Sequence, residues 1–360
     1  MIIQPSNTNK SERGFAAIII AITLVIITSL LVVGFARLMR NEQNQVTNRQ
    51  LSNQAYYAAE SGINDAAKAL SKGFNVNKNI CPPLVLTDTT PGASYLKNNN
   101  ISSTAVGVST AVQWTCLLID QTPLSLEFNP VSNVTPKVYR FSGRDADTGT
   151  IVKTPKSISF SWQDASATNT NTASVSGVTN NSFPKAAAWP YIGMLRVSIT
   201  PINYPVDRMT LKNSTYTAYL FPTKNSTVTS RDYNPGSDKS GDIFNGGCGA
   251  VPPGPRLCTS TITNLPSDAT EYLVTMRSIY SPTNVSVSIK DDSPTPVTLR
   301  IFGAQTKIDS TGRSQDVLKR LQVRIPTRNQ YYYPGFSAET AGDICKGITA
   351  YPGQAFGCGY

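Results

Sequence analysis

The chain has 360 residues, 32 of them Lys or Arg against 22 Asp or Glu, for a formal charge of +10, and it contains no histidine. The missing imidazole excludes Ser-His and Cys-His catalysis and His-ligated metal sites, and no clustered motif points to carboxylate or lysine chemistry, so neither an enzyme nor a cofactor is expected. Charged residues make up only 15% of the chain and the basic ones are scattered, so the surplus reads as a solvated exported surface rather than a nucleic-acid patch.

In chain order, a polar leader ends in Arg13-Gly14. Then FAAIIIAITLVIITSLLVVGFA runs without charge from Phe15 to Ala36. At 1.5 Å per residue it spans roughly 30 Å, near the hydrocarbon thickness of a bilayer, and a helix is the one single segment that satisfies its own backbone in lipid. A cleaved secretory signal needs a shorter apolar core and a small-x-small site after it. Here polar, helix-compatible RLMRNEQNQVTNRQ follows instead. Lys10 and Arg13 before the run balance Arg37 and Arg40 after it, so flanking charge does not orient it. The cysteines do. Cys81, Cys116, Cys248, Cys258, Cys345 and Cys358 all follow the run, and an even count reads as disulfides outside the reducing cytosol. The N-terminus is therefore expected inside and the bulk outside. Six cysteines allow about 15 connectivities. Nearness in sequence suggests Cys81 with Cys116, Cys248 with Cys258, and Cys345 with Cys358. A zinc site is the weaker alternative, since there is no CxxC.

The helix continues beyond the apolar run. LSNQAYYAAESGINDAAKAL places Leu51, Ala55, Ala59, Ile63, Ala66 and Leu70 at steps of three or four, with Ala dense and Lys72-Gly73 as the stop. No proline interrupts Phe15 to Lys72, so one helix of about 87 Å is predicted. Its later half should pack one face on a globular body.

Gly14-Phe15 at the head of this helix resembles the cleavage site of type IV prepilins and the related secretion pseudopilins. The stretch Ala55-Tyr-Tyr-Ala-Ala-Glu-Ser-Gly-Ile63 resembles the A-x-x-A-A-E-x-G/A run of minor, accessory pilins. The resemblance covers roughly Lys10 to Leu70. It implies that a membrane-embedded prepilin peptidase cuts between Gly14 and Phe15 on the cytoplasmic side and that Phe15 is then N-methylated. It implies as partners other pilin subunits through the helix, an assembly platform with its cytoplasmic motor, and the membrane. Major pilins carry a glutamate four residues after the first mature residue. Here that position is Ile19. In the family this carboxylate pairs with the amino terminus of a neighbouring subunit, and a buried amine left unpaired is costly. Members without it tend to be minor subunits, so a minor subunit is expected.

After Gly73 the reading turns to strands. Asn75 to Ser109 is polar and broken by Cys81-Pro-Pro and Pro91-Gly92. VQWTCLLI is a strand. VYRFSG and KSISFSW flank Arg144-Asp-Ala-Asp-Thr-Gly149, read as a hairpin. Asp145 and Asp147 are similar to a calcium loop, but with two carboxylates and no later glutamate a plain turn is the expectation. Asp164 to Ser182 is small and polar and reads as a linker or insertion. MLRVSIT, TYTAYLF and EYLVTMRSIY resume the strands. Pro235 to Pro255 reads as a long loop stapled by Cys248 and Cys258. NVSVSIK, PVTLRIFG and KRLQVRI alternate clearly and suggest an antiparallel meander with turns at Asp291-Asp-Ser-Pro294 and Asp309-Ser-Thr-Gly312. In the aromatic tail, Tyr331 to Tyr333 is expected to pack rather than to form an adhesive patch.

The fold class expected is thus α+β and pilin-like: a long N-terminal helix packed on an antiparallel sheet, with a β-rich, disulfide-containing ectodomain. The expected divisions are a leader at 1–14, a transmembrane half at 15–36, an amphipathic half at 37–73, β-rich parts at 74–163 and 184–330, a linker at 164–183, and a disulfide-closed tail at 331–360. The expected role is a minor subunit of a type IV pilus or pseudopilus, held in the inner membrane before assembly and extracellular afterwards. The alternative is a single-pass anchored binding protein that does not polymerise.

Overall fold

The computed structural model describes residues 12–71, 78–80, 112–166, 189–203, 207–224, 229–235, 242–249 and 256–327. The leader before Glu12, Cys81, Cys345, Cys358, the linker beyond Ser166 and the tail with Tyr331 to Tyr333 lie outside these residues.

Helix α1 runs unbroken through Glu12–Ser71, 60 residues, or about 90 Å. The absence of proline and the density of Ala, Leu and Ile allow this length, and Lys68 places a cation in the last turn. After it come β1 (Lys78–Ile80), β2 (Val112–Asp120), β3 (Leu126–Val131), β4 (Lys137–Arg144), β5 (Val152–Lys153), β6 (Ser157–Asp164) and β7 (Met194–Ile202). The short helix α2 (Arg208–Ser214) precedes β8 (Tyr216–Thr223), β9 (Thr229–Asp232), β10 (Asp242–Gly249), β11 (Leu257–Thr263), β12 (Glu271–Ile279), β13 (Thr283–Lys290), β14 (Thr298–Phe302), β15 (Gln305–Ser314) and β16 (Val317–Pro326). The molecule is a long N-terminal apolar helix followed by a β-rich domain.

Two compact units divide the chain. The first takes Met1–Asp65, Ile80–Leu117 and Asp309–Leu321, so α1 shares it with parts of a four-stranded sheet ordered β1-β2-β15-β16. The second takes the remainder and holds the whole of a 12-stranded sheet, whose main path is β10-β8-β7-β12-β4-β14-β13-β6-β11-β9. Strand β10 also pairs with β11, so this path closes on itself. The residues of one parity on each strand point into the closure. Trp162, Tyr272, Phe141 and Phe160 are its largest fully buried side chains, and fully burying a Phe side chain contributes about 1.5–3 kcal/mol.

Several expectations change. The long loop at 235–255 contains β10. It pairs in parallel with β8, Asp242 opposite Ala218 through Gly247 opposite Thr223, and antiparallel with β11. The sheet is therefore mixed rather than purely antiparallel. Its glycines hid this strand, yet one of them is required. A Cβ on Gly246 would lie 2.2 Å from Trp162 Cη2. The expected turn at Asp309-Ser-Thr-Gly312 is the middle of β15, where Asp309 and Ser310 are buried and Arg320 Nε bonds both Asp309 oxygens at 2.8 and 2.9 Å. The expected meander splits: β13 and β14 form a hairpin in the larger sheet, whereas KRLQVRI is β16 in the smaller one. The hairpin after β4 returns as β5, with Gly143 opposite Lys153. Strand β6 pairs β11 and β13 instead. Gln305 covers the edge of β3. Its Oε1 accepts from Glu127 N at 3.0 Å and its Nε2 donates to Glu127 O at 2.8 Å, as a neighbouring strand would.

Candidate functional site

From Ala17 onward, the first half of α1 exposes its side chains. Ile20, Val25, Leu30 and Val32 are each more than 60% exposed, and α1 is long and apolar enough to cross a membrane once. Its hydroxyls are satisfied within the helix. Thr23 Oγ1 donates to Ile19 O and Ile20 O at 3.0 and 2.9 Å, Thr28 Oγ1 to Leu24 O at 2.9 Å, and Ser29 Oγ to Ile26 O at 2.8 Å. A hydroxyl bonded back to its own turn leaves no unsatisfied donor for lipid to meet. Gly14 and Phe15 both lie within α1, just behind its start at Glu12, and Ile19 is on the exposed helix.

The second half buries one stripe. Ala55, Ala58, Ala59, Ala66 and Ala69 are fully buried, Ile63 nearly so, and Gly62 belongs with them. Leu51 and Leu70, expected in the stripe, are only half-buried. Positions 55, 58, 59 and 62 are the small residues of the A-x-x-A-A-E-x-G run, and inside the first unit they meet β15 backbone to backbone. A Cβ on Gly312 would lie 2.0 Å from Ala55 O and 2.3 Å from Ala59 N. Opposite Gly62, a Cβ would lie 2.3 Å from Ser310 Oγ and 3.1 Å from Trp114 Cγ. Polar contacts flank this seam. Ser314 Oγ donates to Gln54 Oε1 at 2.9 Å, and Trp114 Nε1 donates to Asp65 Oδ2 at 3.2 Å. The motif thus has a mechanical content: small side chains on both elements let a helix axis sit unusually close to a strand. Gly312, Ser310 and Trp114 are the partners that sequence reading missed. Glycine inside a strand was the available signal, and it was spent on a turn. On the opposite side of the helix Tyr56 and Tyr57 are exposed, edge to face with centroids 5.8 Å apart.

Elsewhere the site candidates resolve separately. Asp145 organises the 145–151 turn. Its Oδ2 accepts from Thr148 N at 2.8 Å, Thr148 Oγ1 at 2.7 Å and Gly149 N at 3.2 Å, while Oδ1 accepts from Ile151 N at 2.6 Å. The Thr148 hydroxyl, with these backbone donors, holds its carboxyl well below the usual carboxylate range. Both oxygens therefore serve a turn, as the residues suggested, and Gly149 supplies the positive φ of 69° that the turn needs. Among the described residues no group of three or more His, Cys, Asp or Glu is placed to hold a metal. Cys248 and Cys258 form a disulfide across the β10–β11 register. Cys116 is also disulfide-bonded.

Comparison with family models, curated proteins and solved structures gives no match for this chain.

Proposed function

We propose that the protein is a minor subunit of a type IV pilus or pseudopilus. The observation that carries this reading is a single helix whose two halves have opposite surfaces. From Ala17 to Ala36 the first half presents apolar side chains outward all round. The second presents an Ala-Gly stripe to a strand. A helix of this kind anchors the subunit in lipid before assembly, and the same apolar surface packs among sister helices in a filament core. The β-rich domain, stapled by Cys248–Cys258, is the part displayed outside. Ile19 in place of a carboxylate removes the group that would pair with a neighbour's amino terminus, which suits an accessory position rather than the shaft. The prepilin peptidase, assembly platform and motor are the partners this role requires.

Replacing Gly14 with valine tests the reading. Processing between Gly14 and Phe15 is expected to stop, so the full-length chain accumulates in the inner membrane and surface display is lost. Unchanged size and display in that variant would favour the simple membrane anchor.

A further inference from the structure

Chain order separates the two sheets. The four-stranded sheet is made of β1, β2, β15 and β16, and every strand of the 12-stranded sheet falls between β3 and β14. One continuous stretch, 121–304, therefore lies between β2 and β15, which are neighbours in the smaller sheet. The chain leaves and returns at one place. Strand β2 passes out of the first unit between Leu117 and Leu118, and β15 passes back into it between Ile308 and Asp309. Thr115 Oγ1 on β2 donates to Thr311 O on β15 at 3.3 Å, which ties the outgoing strand to the returning one. The links are short, 121–125 into β3 and Gly303-Ala304 out of β14. Ile301 N donates to Pro123 O at 2.9 Å and holds the first link against the last strand of the stretch.

The stretch also carries its own core. Among the described residues, the buried cluster of the larger sheet runs from Leu126 to Ala304. Trp114, Leu117 and Ile308, fully buried on β2 and β15, do not belong to it. The sheet closes from β10 to β11, and the Cys248–Cys258 bond that staples the closure is internal to the stretch. A sheet closed in this way has little edge to share with a neighbour. Strands β15 and β16 touch β3 through polar groups. Gln305 bonds the main chain of Glu127, Arg324 Nη1 donates to Ser125 O, and Arg324 Nη2 donates to Glu127 Oε1, the last two at 2.6 Å. Polar contacts of this kind contribute little beside a shared apolar core.

We infer that 121–304 is a self-contained module inserted into a smaller frame of α1, β1, β2, β15 and β16, and that module and frame unfold separately. A stretch with its own core, a closed sheet and adjacent ends asks of its host only two neighbouring attachment points. The frame keeps its Ala-Gly seam whatever the state of the module, because Ala55, Ala59, Gly62, Ser310 and Gly312 all lie outside the stretch. A second step rests on the minor-subunit reading above. The frame is the part that assembles and the module is the part displayed, so entry into the filament does not depend on the module's fold.

Scanning calorimetry of the full chain in neutral detergent micelles is the test. The parent is expected to show separate transitions for frame and module, or one broad transition whose van't Hoff enthalpy falls well below the calorimetric enthalpy. Gly312→Ala lowers only one of them, by about 5 °C or more, and Cys248→Ser/Cys258→Ser lowers only the other by a similar amount. A single transition with equal enthalpies overturns the inference, and so does either variant if it moves both transitions together. Should a variant fail to fold, hydrogen exchange of the parent at rising urea decides. Peptides within 126–302 are expected to lose protection at a different urea concentration from those within 112–119 and 305–325. Loss in one step across all of them overturns the inference. In cells, the fraction of membrane-held protein that reaches the surface fibres is expected to be unchanged in Cys248→Ser/Cys258→Ser and to fall severalfold in Gly312→Ala. An equal fall in both overturns the division of roles. A parent absent from the fibres overturns the minor-subunit reading instead and leaves the calorimetric result standing.

Discussion

Gly312 and Asp145 show at the residue scale how much the fold asks of single atoms. A methyl group at 312 meets main-chain atoms of Ala55 and Ala59, which cannot rotate away. Gly312→Ala is therefore expected to destabilise the protein by about 2–3 kcal/mol, at the upper end of overpacking effects, read from urea denaturation in detergent. Gly249, with nothing within 4 Å of its absent Cβ, is the control, and Gly249→Ala should leave the midpoint unchanged. Asp145 acts through charge. The Thr148 hydroxyl and neighbouring N–H groups hold its folded pKa below the unfolded value. With a depressed folded pKa, the stabilisation is fully present above the ordinary carboxylate range near pH 4 and is lost as pH falls through the folded value. Carboxyl-carbon NMR titration should find Asp145 still ionised after most exposed carboxylates have protonated. A titration at the ordinary position would show that the turn bonds are not formed.

The Cys248–Cys258 bond joins β10 to β11 where the larger sheet closes, across a sequence separation of 10. Cys248→Ser/Cys258→Ser is expected to lower stability by about 2–3 kcal/mol on chain-entropy grounds, measured by denaturant midpoint under oxidising conditions. A strand as poor in side chains as β10 depends on that closure, so amide exchange should rise first in 242–249. What the sequence made legible follows the same logic. Strands β2, β7, β12 and β13 alternate apolar and polar residues because one face of each is buried, and their periodicity announced them. Helix α1 was legible from its unbroken length, and its stripe from the spacing of alanines. Strands β10 and β15 were not, because their residues serve close approach rather than burial of bulk. Gly246 makes room for Trp162, and Gly312 makes room for α1. Glycine chosen for clearance reads locally as a turn. The separation of β14 from β16 was equally invisible, since which sheet a strand joins is set by partners far away in sequence.

For the whole molecule, the sequence showed a surplus of positive charge but not where it lies. Register between strands decides that, and register gathers arginines from β4, β7, β12 and β14 onto one face. The apolar half of α1 is long and apolar enough to cross a membrane once. Alkaline carbonate should leave the chain in the membrane fraction, whereas detergent should release it. The account depends most on what happens at Gly14 and Phe15. Mass spectrometry of the surface fibres sheared from cells tests it directly. The expected finding is a chain that begins at Phe15 with a methylated amine, present at lower abundance than a major subunit. A chain still carrying Met1, or one cut after the apolar segment and absent from the fibres, would contradict it.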